Sequence, residues 1–208
     1  MHINPKVKSQ AREWAESIII AVILALVIRT FVVQAFKIPS GSMIPTFKVG
    51  DRIFVNKFIY GAHVPLTEFR LPGLREPKRG DIIVFISPED KKKDFVKRLI
   101  AKGGETVEIK DGKIYVNGEE VHDPLSVRSV YYYNAGDYGR EGQAVKVPSD
   151  SYFVLGDNRN NSYDSHTGWF ASRDKIIGKA WISIWPAGQW GLLYNYPQPA
   201  VKTSTTGN

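Results

Sequence analysis

Residues 18–28 are apolar without a break, and this run constrains the chain more than any other feature. Extended to positions 17–36 it is interrupted only by Arg29, Thr30 and Gln34. As a helix rising about 1.5 Å per residue, a stretch of that length reaches roughly 30 Å, the thickness of a bilayer's hydrocarbon core. Three readings compete: a retained membrane anchor, a helix buried in a protein core, and a cleavable signal peptide. Val33-Gln34-Ala35 has the small residues of a cleavage site. Arg29 and Thr30 interrupt the apolar run, however, and it is long for a signal peptide, so the retained anchor is preferred. Trp14 then marks the near interface, and the stem of Arg29 carries its guanidinium to the far headgroups. Lys6, Lys8 and Arg12 precede the span, only slightly offset by Glu13 and Glu16. The positive-inside tendency puts residues 1–16 in the cytoplasm and everything after position 36 outside.

The remainder reads as strands and turns. Segments 51–55, 81–85, 106–109, 113–116, 152–155 and 180–185 are short, rich in β-branched and aromatic residues, and bounded by Gly, Pro, Asp or Asn. Lys110-Asp111-Gly112-Lys113 joins two of them with an Asp-Gly hairpin signal. The expectation is a mainly β protein: a single transmembrane helix over 17–36, then an extracytoplasmic antiparallel β domain over 37–195. Segments 61–79 and roughly 120–145 lack periodicity, which predicts a long loop and a small insertion in the sheet, placed at about 107–150. Residues 196–208 read as a disordered tail.

Composition narrows the chemistry. The net charge of +7 fits an anionic membrane or a nucleic acid. The apolar run favours the membrane, and no nucleic-acid partner is expected. With no cysteine there is no disulfide, no thiol nucleophile and no cysteine-ligated metal. His2, His63, His122 and His166 lack metal-ligand spacing, so neither metal nor cofactor is expected.

Directly after the span comes Ile38-Pro39-Ser40-Gly41-Ser42-Met43-Ile44-Pro45-Thr46. Pro39 and Pro45 fix φ on either side and Gly41 permits close backbone approach, so the segment predicts a rigid bend displaying two hydroxyls. A polar juxtamembrane turn would look similar, but would not need the flanking apolar Ile38 and Met43. A serine hydroxyl requires a base to become a nucleophile. In Asp94-Phe95-Val96-Lys97-Arg98-Leu99-Ile100, strand alternation puts Lys97 on the face of Phe95 and Leu99, where burial would favour the neutral amine. Lys97 pointing to water, as a continuation of Lys91-Lys92-Lys93, is equally compatible with the spacing. Arg98 faces the other way and stays protonated, so it is not a base. A third segment, 156–166, is dense in amide, hydroxyl and carboxylate groups. It suits a hydrogen-bonded platform, and equally an ordinary turn.

Taken in order, Pro39-Ser40-Gly41-Ser42-Met43-Ile44-Pro45-Thr46, Gly80-Asp81-Ile82-Ile83-Val84-Phe85, Lys97-Arg98 and Gly156-Asp157-Asn158-Arg159 with Ser162 and Asp164-Ser165 closely resemble bacterial type I signal peptidases, also called leader peptidases. The similarity runs from the anchor to about Pro186. It implies a largely antiparallel β fold with a smaller inserted β region. By position, it implies Ser42 as acylating nucleophile and Lys97 as general base. Ser40 is implied to join the Ser42 backbone N–H in the oxyanion hole, Ser162 to orient the lysine amine and Asp164 to brace the loop. Phe36, Ile38, Met43 and Val96 would wall the substrate pocket. The implied partners are exported preproteins, cut after small residues in an Ala-x-Ala pattern, and the cytoplasmic membrane. Two positions depart from the pattern: His166 stands where much of the family has arginine, and Thr167-Gly168-Trp169-Phe170 differs from the usual aromatic-then-glycine order. Rival readings are a self-cleaving Ser–Lys protease resembling LexA-type repressors and an inactive tethered β domain that binds exported chains.

Overall fold

The computed structural model describes residues 10–67, 69–121, 136–140, 142–186 and 191–192. The readings made for Lys6, Lys8, His2, His122, most of the 120–145 segment and the 196–208 tail lie outside the described residues.

Helix α1 (Gln10–Val27) continues through one π-helical stretch, Ile28–Val32. The run Arg12–Val32 has mean hydropathy 2.3 and none of it is buried by protein. Nothing covers Ile18, Ile20 or Leu24, each more than half exposed, so the helix is not part of a protein core. A helix apolar on all sides and uncovered by protein suits hydrocarbon, consistent with membrane anchoring.

The helix stops short of the expected position 36. At Val33 the chain turns into strand β1 (Val33–Lys37), paired with β2 (Arg52–Asn56) from Val33↔Asn56 to Lys37↔Arg52. Two causes act together. The β-branched Thr30, Val32 and Val33 favour extended backbone once a partner strand is present. In addition, the Lys57 ammonium donates to the carbonyls of Thr30 at 3.1 Å and Arg29 at 3.5 Å, satisfying acceptors left open at the helix end. An apolar run alone does not tell a helix end from a half-buried strand.

Strands β3 (Ile82–Ile86) and β4 (Asp94–Lys102) form a hairpin. The chain next builds β5 (Thr106–Lys110), β6 (Lys113–Val116), β7 (Glu119–Glu120) and β8 (Val145–Lys146), followed by β9 (Ser151–Leu155), β10 (Ala171–Ser172), β11 (Ile176–Trp185) and β12 (Gly191–Leu192). One antiparallel sheet has the order β1-β2-β11-β3-β4-β9-β10, with β12 also on β11. A second, of order β7-β6-β5-β8, comes from the chain between β4 and β9. Asp111 and Gly112, both at positive φ, make the tight turn between β5 and β6 that the Asp-Gly pair predicts. Val107, Ile109, Ile114 and Val116 of the small sheet pack on Ile100, Phe153 and Leu155 of the large one, so the sheets share a core.

A second cluster, Ile38, Met43, Phe47, Ile53, Val55, Ile82, Val84 and Val96, lies beneath the serine turn. Behind it, the carboxylate of Asp81 is wholly buried and accepts from Tyr60 (2.6 Å), Arg75 (2.7 Å) and Lys179 (2.9 Å). Burial alone would raise its pKa, but these donors outweigh it and hold the carboxyl at about 2. The cluster ties the 61–79 loop to β3 and β11. Trp181 and Trp185, on strand β11, are 44% and 57% exposed and therefore belong to the surface.

Candidate active site

Ser42 sits in a 3₁₀ turn (Gly41–Met43) that both flanks hold down. Ile38 and Met43 are 2% and 1% exposed, each sunk into the core below. The Ile38 N–H donates to the Asp51 carbonyl at 2.8 Å and its carbonyl accepts from the Gly50 N–H at 2.9 Å. The apolar flanks that set this segment apart from a solvated linker are thus its anchors, and Ser42 is lifted between them, half-buried. Ser40 is exposed, with its Oγ 3.5 Å from that of Ser42.

Lys97 reaches the serine from the middle of β4. Its Nζ lies 2.8 Å from Ser42 Oγ and 5.5 Å from the Phe95 ring centre, as strand alternation predicts, and the side chain is only 4% exposed. Burial, partly opposed by the carboxylates of Asp164 and Asp157, pulls its pKa down to about 8. An amine with that pKa is neutral in about one molecule in ten at pH 7, far more than an ordinary lysine, and the neutral form can accept a proton.

The 156–166 loop holds both groups. Asn158 is a clamp that sequence reasoning missed: its backbone N–H donates to the Ser42 carbonyl at 2.9 Å and its side-chain amide to the Gly41 carbonyl at 3.0 Å. The Asp157 carboxylate accepts from Arg98 Nε (2.7 Å) and Nη2 (2.5 Å), with both side chains fully buried, and from the Thr46 hydroxyl. Asp164 accepts from the Gly156 N–H at 2.7 Å and lies 2.6 Å from His166 Nδ1, so it braces the strand-to-loop junction. His166 is part of this brace.

Ser162 is not placed as expected. The lysine amine donates to Ser42, while the Ser162 hydroxyl is buried against Gly156 and makes no hydrogen bond among the described residues. Gly156 explains the crowding: a Cβ added there would lie 2.1 Å from Ser162 Oγ and 2.5 Å from the Ser42 carbonyl oxygen. Gly156→Ala must therefore displace the Ser42 backbone or the loop, and an ångström of misplacement at a reacting atom costs about 10²-fold. We expect kcat to fall by about that factor with the helix and sheets retained. Wild-type turnover with normal circular dichroism would show that the loop yields without cost.

A cleft of about 690 Å³ opens over Ser42 and Lys97. The four expected wall residues, Phe36, Ile38, Met43 and Val96, all line it, with Phe95, Asn161 and Tyr163 completing one side. Tyr163 and Phe95 pack edge to face at 6.5 Å, an arrangement not evident from sequence because the partners come from different elements. Among the described residues no group of three or more His, Asp or Glu side chains is arranged to hold a metal ion.

An antiparallel β domain that sets a serine hydroxyl against a buried amine is built as a serine hydrolase. Comparison with known proteins gives the family. Residues 11–185 match the model of the signal peptidase family, peptidase S26. Over 187 residues the chain is 41% identical to a probable signal peptidase I-2 of Synechocystis sp., covering 87% of this chain and 76% of that protein. It is 40% identical to a signal peptidase I of Leptolyngbya laminosa over 197 residues, 91% of this chain and 87% of the relative. A solved signal peptidase I from Enterococcus faecalis aligns at 32% identity and TM-score 0.42, covering 50% of this chain and 97% of its own. The chain belongs to the signal peptidase family, peptidase S26, and is a serine peptidase.

Proposed function

We propose that the protein is a membrane-anchored endopeptidase that removes N-terminal signal peptides from exported preproteins at the outer face of the cytoplasmic membrane, with Ser42 as nucleophile and Lys97 as general base. The carrying observation is the 2.8 Å contact between Ser42 Oγ and an amine buried in an apolar cleft. Neutral Lys97 takes the Ser42 proton as Oγ attacks the scissile carbonyl. The tetrahedral oxyanion is received by the Ser42 N–H and the Ser40 hydroxyl. Collapse breaks the C–N bond, and the leaving amine of the mature protein takes the proton from the Lys97 ammonium. Water, deprotonated by the neutral Lys97 thus regenerated, then attacks the acyl carbonyl, and as the ester C–O bond breaks the proton passes from Lys97 back to Ser42 Oγ. Phe36, Ile38, Met43 and Val96 form shallow apolar walls that admit small side chains and exclude large ones by overlap.

The test is incubation of the purified full chain in detergent with a preprotein ending its signal in Ala-x-Ala, read by mass spectrometry. Cleavage after the second alanine, and none when that alanine is replaced by leucine, is expected. A chain that binds the preprotein without cutting it is the tethered binder instead.

Ser40 gives a finer test. A hydroxyl that strengthens its bond only as charge develops should affect kcat and not KM. Ser40→Ala is expected to lower kcat by roughly 10²–10³ with KM nearly unchanged, and Ser40→Thr to retain more activity. Full activity in Ser40→Ala would leave Ser40 as a turn residue.

A further inference from the structure

We propose that the hairpin at 63–70 is a wedge that enters the bilayer surface beside the end of α1, with Leu66 and Phe69 among the lipids. The proposal rests on the reading that α1 spans the membrane. The described residues of the hairpin, 63–67 and 69–70, are held at its base and across its strands. His63 and Arg70 bridge as antiparallel partners, and the Val64 N–H donates to the Phe69 carbonyl at 2.9 Å. At its base, Arg70 Nη1 donates to the carbonyls of Tyr60 (3.2 Å) and Gly61 (3.0 Å), and Nη2 to that of Ile176 (2.5 Å).

This well-held base serves an apolar tip. Leu66 is entirely exposed, at 106%, in a left-handed backbone conformation (φ 64°) uncommon for residues other than glycine, and Phe69 is 61% exposed. Pro65 and Thr67 are ordinary turn residues, but a wholly exposed leucine at positive φ and a largely exposed phenylalanine are not. Two large apolar side chains exposed on one short hairpin instead suit an interaction surface.

Position selects lipid as the occupant. Val64, Pro65, Leu66 and Thr67 wall a groove whose other side carries Gln34 of β1 and Lys57, the residue whose ammonium caps the helix at Thr30. The hairpin tip thus stands across one groove from β1, the strand that leaves the end of the apolar helix, and from the lysine that caps that end, which brings it beside the place where the span meets the bilayer surface. Phe36 and Asp94 line both this groove and the catalytic cleft, so a hairpin seated in lipid would steady the cleft over the membrane.

The chain has no cysteine, so one can be introduced at a time and labelled with a polarity-sensitive fluorophore. Full-length Leu66→Cys, Leu24→Cys in the helix and Glu119→Cys on the small sheet would each be reconstituted into phosphatidylglycerol–phosphatidylethanolamine vesicles. The Leu66 and Leu24 labels are expected to shift to the blue and to be quenched by nitroxides on the acyl chains, and the Glu119 label only by aqueous iodide. A Leu66 label quenched like that at Glu119, while Leu24 remains in lipid, overturns the wedge and leaves the anchor standing. Shielding from both quenchers also overturns it, because protein then covers the tip. A Leu24 label open to iodide overturns the spanning reading and the wedge with it.

Discussion

Lys97→Ala is expected to lower kcat/KM on a preprotein by about 10⁴-fold or more, to the floor reached by Ser42→Ala, and combining the two should cost little further. Nucleophile and base act as one unit across the 2.8 Å contact, so losing either stops proton transfer from the serine. Lys97→Arg should fail as completely, because a guanidinium stays protonated and cannot serve as base. The pH profile separates this site from a histidine-based one. Burial lowers the Lys97 pKa to about 8, and the neutral amine is the active form. Activity should therefore climb about tenfold per pH unit on the acid side and level off above that pKa. A histidine base would have finished its rise nearer its ordinary pKa of about 6.5. Lys97 and Ser40 are the side chains that meet Ser42 Oγ among the described residues, and His166 is not among those lining the cleft. Measuring kcat/KM from acid to alkaline pH decides the matter: a profile already flat at neutrality would remove Lys97 as the base.

What was legible in the sequence was local. Prolines at 39 and 45 around two serines, with Ile38 and Met43 as flanks, gave the rigid turn, and both flanks are buried as that pattern requires. Alternation along β4 placed Lys97 with Phe95, and the amine does lie over that ring. That Lys97 turns inward and meets a serine 55 residues earlier was not contained in periodicity, since burial and solvent were equally compatible with the spacing. The family resemblance joined the two. The end of α1 is not marked in the sequence because Val33, Ala35 and Phe36 carry the apolar run on past it with only Gln34 between, and pairing with β2 and the Lys57 cap show where the change falls. Ser162 illustrates another limit. A residue's position in a motif does not fix where its hydroxyl points, and here it is turned against Gly156. Asn158 was visible only as one amide among several in a polar loop. Its clamp on Gly41 and Ser42 depends on two segments more than a hundred residues apart coming together.

Asp157→Ala should be the most destabilising single change near the site. Asp157 and Arg98 face each other with no solvent exposure, joined by bonds of 2.7 and 2.5 Å from Nε and Nη2. Removing one member of such a pair leaves the other charge buried without its counter-ion, which costs about 3–5 kcal/mol. Arg98 Nη1 would keep its bond to the Gly80 carbonyl at 3.0 Å, while Nε and Nη2 would lose the carboxylate they now share. Against a total stability of about 5–15 kcal/mol this is a large fraction. At about 2–4 °C per kcal/mol for a domain of this size, the melting temperature should fall by roughly 6–20 °C. Thr46→Val removes only the threonine's bond to the same carboxylate and should cost about 1 kcal/mol. Catalysis should be impaired in both variants, because Thr46 closes the turn that carries Ser42. The order of effects is the test, read by thermal unfolding of the full chain in detergent: equal melting temperatures for Asp157→Ala and wild type would mean that the loop and strand β4 are joined by packing alone. A large drop in Asp157→Ala with a small one in Thr46→Val would locate the strength of that junction in the buried ion pair, leaving the threonine to set the position of the nucleophile.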